Sequence, residues 1–133
     1  MVWTSDESLP VKQLGKTYCF LAGSMDTINP VNWRSIVISE GKNHVEFLDP
    51  TNANHDALTD QEMRDHIKWE HDAMELSDLI LMNFLPNARS PISLVELGLN
   101  ARSSKLMVVC PDEFYQKRYV ECLCNRFDIS FFS

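Results

Sequence analysis

Glu96 is the residue whose type and surroundings most strongly suggest chemistry. It lies in the apolar run Leu-Val-Glu-Leu-Gly at 94–98, where a carboxylate either faces solvent or is held in a pocket. Ser93 precedes it by three residues and Asn100 follows it by four, so in a helix the three polar side chains share one face. An ordinary exposed face has the same spacing, because solvated carboxylates are far commoner than perturbed ones. The spacing alone therefore leaves both interpretations open.

Two other segments carry groups that could bind a ligand. The sequence Gly-Ser-Met-Asp at 23–26 is typical of a strand-to-helix turn, whose free amides can hold a phosphate or a sugar hydroxyl. Such a turn is more often only a tight connection. The sequence Trp-Glu-His-Asp at 69–72 has a charged outer helix face as its default interpretation. Because His66 and His71 are five residues apart, they do not face one another as metal ligands, and we expect no metal site.

The elements that must position these groups alternate along the chain. Buried strands are predicted at 18–22, 44–48, 78–84 and 105–110, and residues 129–132 can add a short fifth. Helices are predicted at 33–39, 59–77, 90–102 and 113–126, the second of them opened by a Thr59–Glu62 capping box. The strands are continuous apolar runs, which favours an α/β fold with a parallel sheet and helices on both faces. We predict one Rossmann- or flavodoxin-like domain of four to five strands at 17–133, after an N-terminal extension at 1–16.

The predicted fold says where chemistry is to be expected. In open parallel sheets, ligands bind beyond the carboxyl ends of the strands, at the switch point of the strand order. The loops after the first and third strands meet this condition. The first is the turn at 23–26, and the second leads into Ser90, a predicted N-cap, with Pro91 at the first helical position.

Composition excludes several classes of function. The formal net charge of −7 repels phosphate backbones, which argues against binding to a nucleic acid polymer, although one small anion could be held by backbone amides. No apolar run has the length of a membrane span, and residues 1–16 lack the apolar segment of a signal peptide. The four cysteines lack the spacing of a zinc or redox motif and are expected to be free thiols. We therefore expect a cytoplasmic protein that does not associate with membranes.

Several short elements, taken in order, resemble one known superfamily. They are Phe-Leu-Ala-Gly-Ser-Met-Asp at 20–26, Trp-Arg at 33–34, Asp-Pro at 49–50, Trp-Glu at 69–70, Ser-Asp at 77–78, Glu-Leu-Gly at 96–98 and the tail at 115–129. Together they resemble the nucleoside 2-deoxyribosyltransferase superfamily, specifically its deoxyribosyltransferase-like branch, which is related to nucleotide N-glycosidases. The resemblance covers nearly the whole domain.

The resemblance implies roles for three acidic residues. The glutamate of the Glu-Leu-Gly motif is the family's nucleophile, which implies that Glu96 attacks the anomeric carbon and forms a covalent glycosyl-enzyme. Glu70 matches the acid that assists departure of the base, with Asp72 as the second candidate. Asp78 matches an aspartate that orders the pocket. The resemblance also implies no cofactor, a small nucleoside or nucleotide substrate, and a homodimer or higher homo-oligomer.

The resemblance also implies a set of substrate-binding residues. Nucleoside-acting members carry an aspartate six residues before the nucleophile, whereas nucleotide hydrolases carry a serine that can donate to a 5'-phosphate; here the residue is Ser90. The similar hydrolases have a longer glycine-rich first loop with an arginine, where this chain has Met25 and Asp26, and they have glycines where this chain has residues 92–94. Trp33 could stack on a base, although such aromatic residues are more often core. The expected binding residues are Gly23, Ser24, Met25, Asp26, Trp33, Asp72, Ser90 and Ser93.

Three functions remain open at this point. The first is an enzyme that cleaves or exchanges an N-glycosidic bond of a nucleoside or its 5'-monophosphate with Glu96, by transfer or by hydrolysis. The second is a non-catalytic module of the same fold that binds or sequesters a nucleotide. The third is an interaction domain without a small-molecule site.

Overall fold

A computed structural model describes residues 1–25, 32–52 and 54–133. In this part of the chain the strands are β1 (Val2–Thr4), β2 (Tyr18–Gly23), β3 (Glu46–Asp49), β4 (Leu79–Asn83), β5 (Leu106–Val109) and β6 (Ser130–Phe132). The helices are α1 (Trp33–Gly41), α2 (Asp60–Leu76), α3 (Pro91–Asn100) and α4 (Lys117–Arg126), with a short 3-10 helix at His55–Ala57. The strands form one sheet in the order β1-β3-β2-β4-β5-β6, with every described pairing parallel. The predicted α/β fold is confirmed, with six strands instead of four to five.

The apolar strands are buried between helices on both faces of the sheet. Every residue of β2 is buried, because β2 lies in the interior of the sheet. Its Phe20 shares one apolar cluster with Trp69 of α2, Leu97 of α3 and Val120 of α4. Alternate residues of the same strand, with side chains on the opposite face, pack in a second cluster with Val37 and Ile38 of α1. The prediction of helices on both faces is therefore confirmed.

The segment before β2 adds an edge strand that the sequence pattern did not predict. Val2 lies opposite Phe47 and Thr4 opposite Asp49, parallel to β3. A three-residue strand has too short an apolar pattern to stand out in the sequence, and backbone pairing with β3 holds it in the sheet. The Trp69 indole also donates to the backbone oxygen of Glu7 at 3.0 Å, which joins this segment to α2.

Two helix starts show how local chemistry sets the element boundaries. The Thr59 hydroxyl accepts from the Glu62 amide at 3.1 Å, and the Glu62 carboxylate accepts from the Thr59 amide at 3.0 Å. The predicted capping box therefore opens α2. By contrast, α4 begins at Lys117, four residues after the predicted Glu113. The intervening residues form turns around Phe114, whose side chain is buried in the core.

The strand order places a crevice beside the carboxyl end of β2. The chain leaves β2 for β3 on one side and returns to β4 on the other, which makes the β2–β4 boundary the topological switch point. Here the loop after β2 meets the loop after β4 that leads into α3. No helix within residues 1–25, 32–52 and 54–133 is long and apolar enough to cross a membrane.

Candidate active site

Ser24 joins the two loops at the switch point. Its amide donates to the Asn83 backbone oxygen at 2.9 Å, and its hydroxyl accepts from the Leu85 amide at 2.9 Å. The same hydroxyl lies 2.5 Å from the Ser90 hydroxyl, and Ser24 is almost fully buried. The loop after β2 and the start of α3 are thus connected through Ser24.

Gly23 allows these loops to approach. Its φ is +114°, a conformation that side chains disfavour, and an added Cβ would lie 2.2 Å from the Asn83 backbone oxygen. The glycine of the predicted turn is therefore required by backbone contact. Its predicted part in substrate binding stays a prediction.

Ser90 has an unusual backbone at the start of α3. Its φ is +53° and its ψ +49°, in the left-handed region. It occupies the predicted N-cap position, with Pro91 following at the helix start, but its hydroxyl makes no capping hydrogen bond to the helix. The hydroxyl instead faces Ser24. Ser93 is buried one turn further along α3.

Glu96 of α3, which is buried, and Glu70 of α2, whose side chain is 18% exposed, act on one another electrostatically from different helices. Glu96 on α3 is only 7% exposed, although the residue on either side of it is apolar. Burial raises the pKa of Glu96 to about 7; repulsion from Glu70 adds to this increase and attraction to Arg34 opposes it. Burial likewise raises the pKa of Glu70 to about 7, against the attraction of His55 and Arg34. Two such groups with pKa values near neutral can serve as a nucleophile and an acid.

His66 lies beside Glu70 and was not predicted as part of the site. Its Nε2 is 3.5 Å from Glu70 Oε1, and its buried Nδ1 has no hydrogen-bond partner among the described residues. Burial lowers the pKa of His66; His55, whose ring centroid is 5.6 Å away, lowers it further, and Asp6 opposes both. The four-residue spacing of His66 and Glu70 on one helix is the signal that could have identified the pair.

Arg34 lies behind the loop after β2, almost fully buried. It donates to three backbone oxygens, those of Leu21 at 3.1 Å, Gly23 at 3.1 Å and Ser24 at 3.0 Å. The Trp33 indole donates to the same Ser24 oxygen at 2.9 Å, and the guanidinium carbon stands 4.3 Å from its ring centroid. Trp33 therefore supports Ser24, and its predicted stacking on a base stays a prediction.

The sequence of the chain is similar to that of a known protein family. The chain matches the model of a family described as nucleoside 2-deoxyribosyltransferase like, over residues 16–114. The chain belongs to this family. No curated protein matches it. The matched range of this deoxyribosyltransferase-like chain includes all of β2, α1, α2 and α3, and therefore Ser24, Arg34, Glu70, Ser90 and Glu96. The family is one of nucleoside-modifying enzymes.

Two aspartates of the deoxyribosyltransferase-like chain lie away from the site. Asp78 precedes β4 and accepts from the Tyr18 amide at 2.9 Å, while Lys12 pairs with it at 2.5 Å. This is the amino edge of the sheet, opposite to the loops that carry Ser24 and Ser90, so the structure does not bring Asp78 together with them, and its role in ordering the pocket stays a prediction. Asp72 pairs with Lys68 on the exposed side of α2, whereas the Glu70 side chain of the same helix is only 18% exposed.

The remaining predicted positions concern the first loop and metal binding. Met25 is half exposed, and its sulfur lies 3.4 Å from Arg34 Nη1. Asp26 lies outside the described residues. Within the described part of this deoxyribosyltransferase-like chain, no group of three His, Cys, Asp or Glu residues could hold a metal ion.

Proposed function

We propose that this chain cleaves or exchanges the N-glycosidic bond of a (deoxy)nucleoside or nucleoside 5'-monophosphate through a covalent glycosyl–Glu96 intermediate. The observation that carries the proposal is the interacting pair of carboxyl groups formed by the buried Glu96 and the largely buried Glu70, near the switch-point loops. Membership of the deoxyribosyltransferase-like family supports the same reaction class. Such a pair is the minimum machinery of a double displacement at an anomeric carbon.

In the proposed first step Glu96 is ionised and Glu70 is protonated. A carboxylate oxygen of Glu96 attacks the anomeric carbon, and the bond from this carbon to the base nitrogen breaks with its electron pair moving to the base. Glu70 gives its proton to the departing base. In the second step a new base or a water molecule attacks the same carbon, Glu96 departs as carboxylate, and Glu70 takes up the proton that the acceptor loses. Raised pKa values near 7 for both groups suit this exchange of roles.

Ser90 supports a substrate that can carry a 5'-phosphate. Its hydroxyl sits at the start of α3, where the first-turn amides receive no side-chain cap from it. A helix start favours negative charge, and a serine hydroxyl can donate to a phosphate oxygen. Its partner Ser24 can give its own proton to the Ser90 oxygen, which leaves the Ser90 proton for a ligand. Nucleosides and monophosphates therefore both belong in the test.

The deciding experiment incubates wild type and Glu96→Ala with a panel of ribo- and deoxyribonucleosides and their 5'-monophosphates, with and without a second base. Chromatography should detect free base, or a new nucleoside, with wild type only. Equal inactivity of the two proteins would remove support for the enzymatic proposal. Thermal stabilisation of the inactive wild type by an intact nucleotide would then favour the alternative, a nucleotide-binding or sequestering module of the same fold.

We also propose that the chain forms a homodimer or a higher homo-oligomer in the cytoplasm. Three large apolar side chains on the outer face of α3, Ile92, Val95 and Leu99, are 64–65% exposed. Their spacing of three and four residues places them in one stripe, and such contiguous apolar surface marks interaction sites. Light scattering coupled to gel filtration should give at least twice the 15.3 kDa chain mass. A monomer mass at micromolar concentration would contradict this.

The four free cysteines are consistent with the proposed location in the cytoplasm, which is a reducing compartment.

A further inference from the structure

We propose that Arg34 is a positioning residue that fixes Gly23 and Ser24 at the end of β2 and holds a single negative charge on the pair Glu70 and Glu96. The inference rests on the proposed function and adds to it a residue outside the pair of carboxyl groups. Nothing in the sequence pattern assigned Arg34 a role beyond its place next to Trp33.

Arg34 holds the end of β2 and Ser24 by hydrogen bonds to their backbone. A guanidinium has donors in a rigid fork, and Arg34 directs them at the backbone oxygens of Leu21, Gly23 and Ser24. These oxygens belong to the end of β2 and to the residue that contacts Ser90. Without Arg34, buried carbonyl groups would lose their partner, which a folded chain avoids. The position of the Ser24 hydroxyl therefore depends on Arg34.

Arg34 also brings a positive charge into the interior of the protein. Arg34 on α1 is only 3% exposed, and a buried cation persists only where anions compensate for its lost hydration. The acidic groups that act on it come from three other elements: Asp49 of β3, whose Oδ1 is 3.9 Å from Nε, Glu96 of α3 and Glu70 of α2. The imidazole of His55 in the 3-10 helix also acts on Glu70. Arg34 is thus a buried cation whose charge acts on both carboxyl groups.

The charge of Arg34 matters to both carboxyl groups, because the proposed reaction needs Glu96 ionised and Glu70 protonated. Because the two groups repel one another, they favour one shared proton, and desolvation alone would favour protonation of both. Glu96 protonated is no nucleophile. Arg34 stabilises a single negative charge on the pair, which leaves one carboxylate to attack and one carboxylic acid to protonate the base. A purely structural arginine would leave the titration of Glu96 unchanged.

The test compares Arg34→Gln and Arg34→Lys with the exposed control Arg64→Gln, whose guanidinium pairs with Asp60 at 70% side-chain exposure. Carbon-13 NMR follows the Glu96 carboxyl titration, and kcat/KM is measured against pH. We expect Arg34→Gln to move the Glu96 titration and the acid limb of activity upward by about one pH unit, so that activity well below neutral pH falls about tenfold. Arg64→Gln should match wild type.

Arg34→Lys keeps the charge but loses the fork of donors. We expect its Glu96 titration to stay near that of wild type, while hydrogen exchange at the Ser24 amide accelerates at least about tenfold. An unshifted titration in folded Arg34→Gln overturns the inference. If Arg34→Gln does not fold, Arg34→Lys decides: unchanged exchange at Ser24 overturns the positioning role, and faster exchange with an unshifted titration supports it. Both NMR readouts remain valid if no substrate is found, so failure of the proposed function is recognised separately.

Discussion

Replacement of Glu96 by glutamine is expected to lower kcat by more than about ten-thousand-fold, and replacement of Glu70 by glutamine by about a hundred- to ten-thousand-fold. Loss of the nucleophile removes the covalent route altogether. Loss of the acid removes only the assistance to the departing base. Glutamine is nearly isosteric with glutamate, so both variants should keep the fold, and single-turnover kinetics would measure the two effects.

A substrate with a positively charged base distinguishes the role of Glu70 as acid from the role of Glu96 as nucleophile. An N7-methylated purine nucleoside carries a positive charge and loses a neutral base, so it needs no proton from Glu70. We expect Glu70→Gln to recover at least about tenfold relative to wild type on this substrate, and Glu96→Gln to recover nothing. Asp72→Asn is the matched control, because Asp72 is paired with Lys68 on the exposed side of the same helix. Recovery of Glu96→Gln, or loss of activity in Asp72→Asn, would contradict the assignment.

The pH dependence of activity should follow from the protonation states of Glu96 and Glu70. Activity needs Glu96 ionised and Glu70 protonated, and both pKa values are raised to about 7. As pH falls below 7, Glu96 gains a proton and activity declines. As pH rises above 7, Glu70 loses its proton and activity declines again, which gives a bell-shaped profile centred near neutrality. On the N7-methylated substrate, which needs no proton from Glu70, wild type should keep the acid limb and lose the alkaline limb.

Replacement of Gly23 by alanine is expected to reduce the free energy of unfolding by about 3–5 kcal/mol, a large share of the stability of a small domain. The Cβ would meet the Asn83 backbone oxygen at 2.2 Å, and backbone in the centre of a sheet cannot yield as a flexible side chain does. The positive φ of +114° adds strain. Urea denaturation monitored by tryptophan fluorescence would measure the loss.

Gly98 provides the matched control for this substitution. It lies within α3, and a Cβ added there would meet no atom within 4 Å. Gly98→Ala should stabilise the protein by about 0.5–1 kcal/mol, because alanine favours a helix over glycine. Equal midpoints for Gly23→Ala and wild type would show that the two loops can separate without cost.

The features predicted from sequence are those that depend on local patterns. Continuous apolar runs indicated β2 and β4, because a strand buried on both faces has no polar alternation. The Thr59–Glu62 pair indicated the start of α2, since a capping box is a local hydrogen-bond motif. The position of Glu96 near the loop after β2 followed from the rule that parallel strands end at one edge.

The features that were not predicted depend on contacts between distant segments. Whether Glu70 and Asp72 face the same side could not be decided from the charged run at 69–72, and packing of α2 against the sheet turned Glu70 inward and Asp72 outward. Arg34 looked like one more polar residue on a helix, because its three carbonyl partners belong to another element. The Ser24–Ser90 contact spans 66 residues. No local pattern encodes such a distance.

The left-handed backbone at Ser90 limits how this site can change in evolution. Asparagine, aspartate and glycine adopt that conformation at little cost, whereas β-branched residues do not. The aspartate that similar nucleoside-acting enzymes carry at this position is therefore already compatible with the backbone of this chain. With the role proposed for Ser90, a single substitution exchanges a donor to phosphate for an acceptor from a sugar hydroxyl without a change of backbone. The proposal therefore implies that substrate preference can change at this one position while the Gly23 contact with Asn83 stays the same.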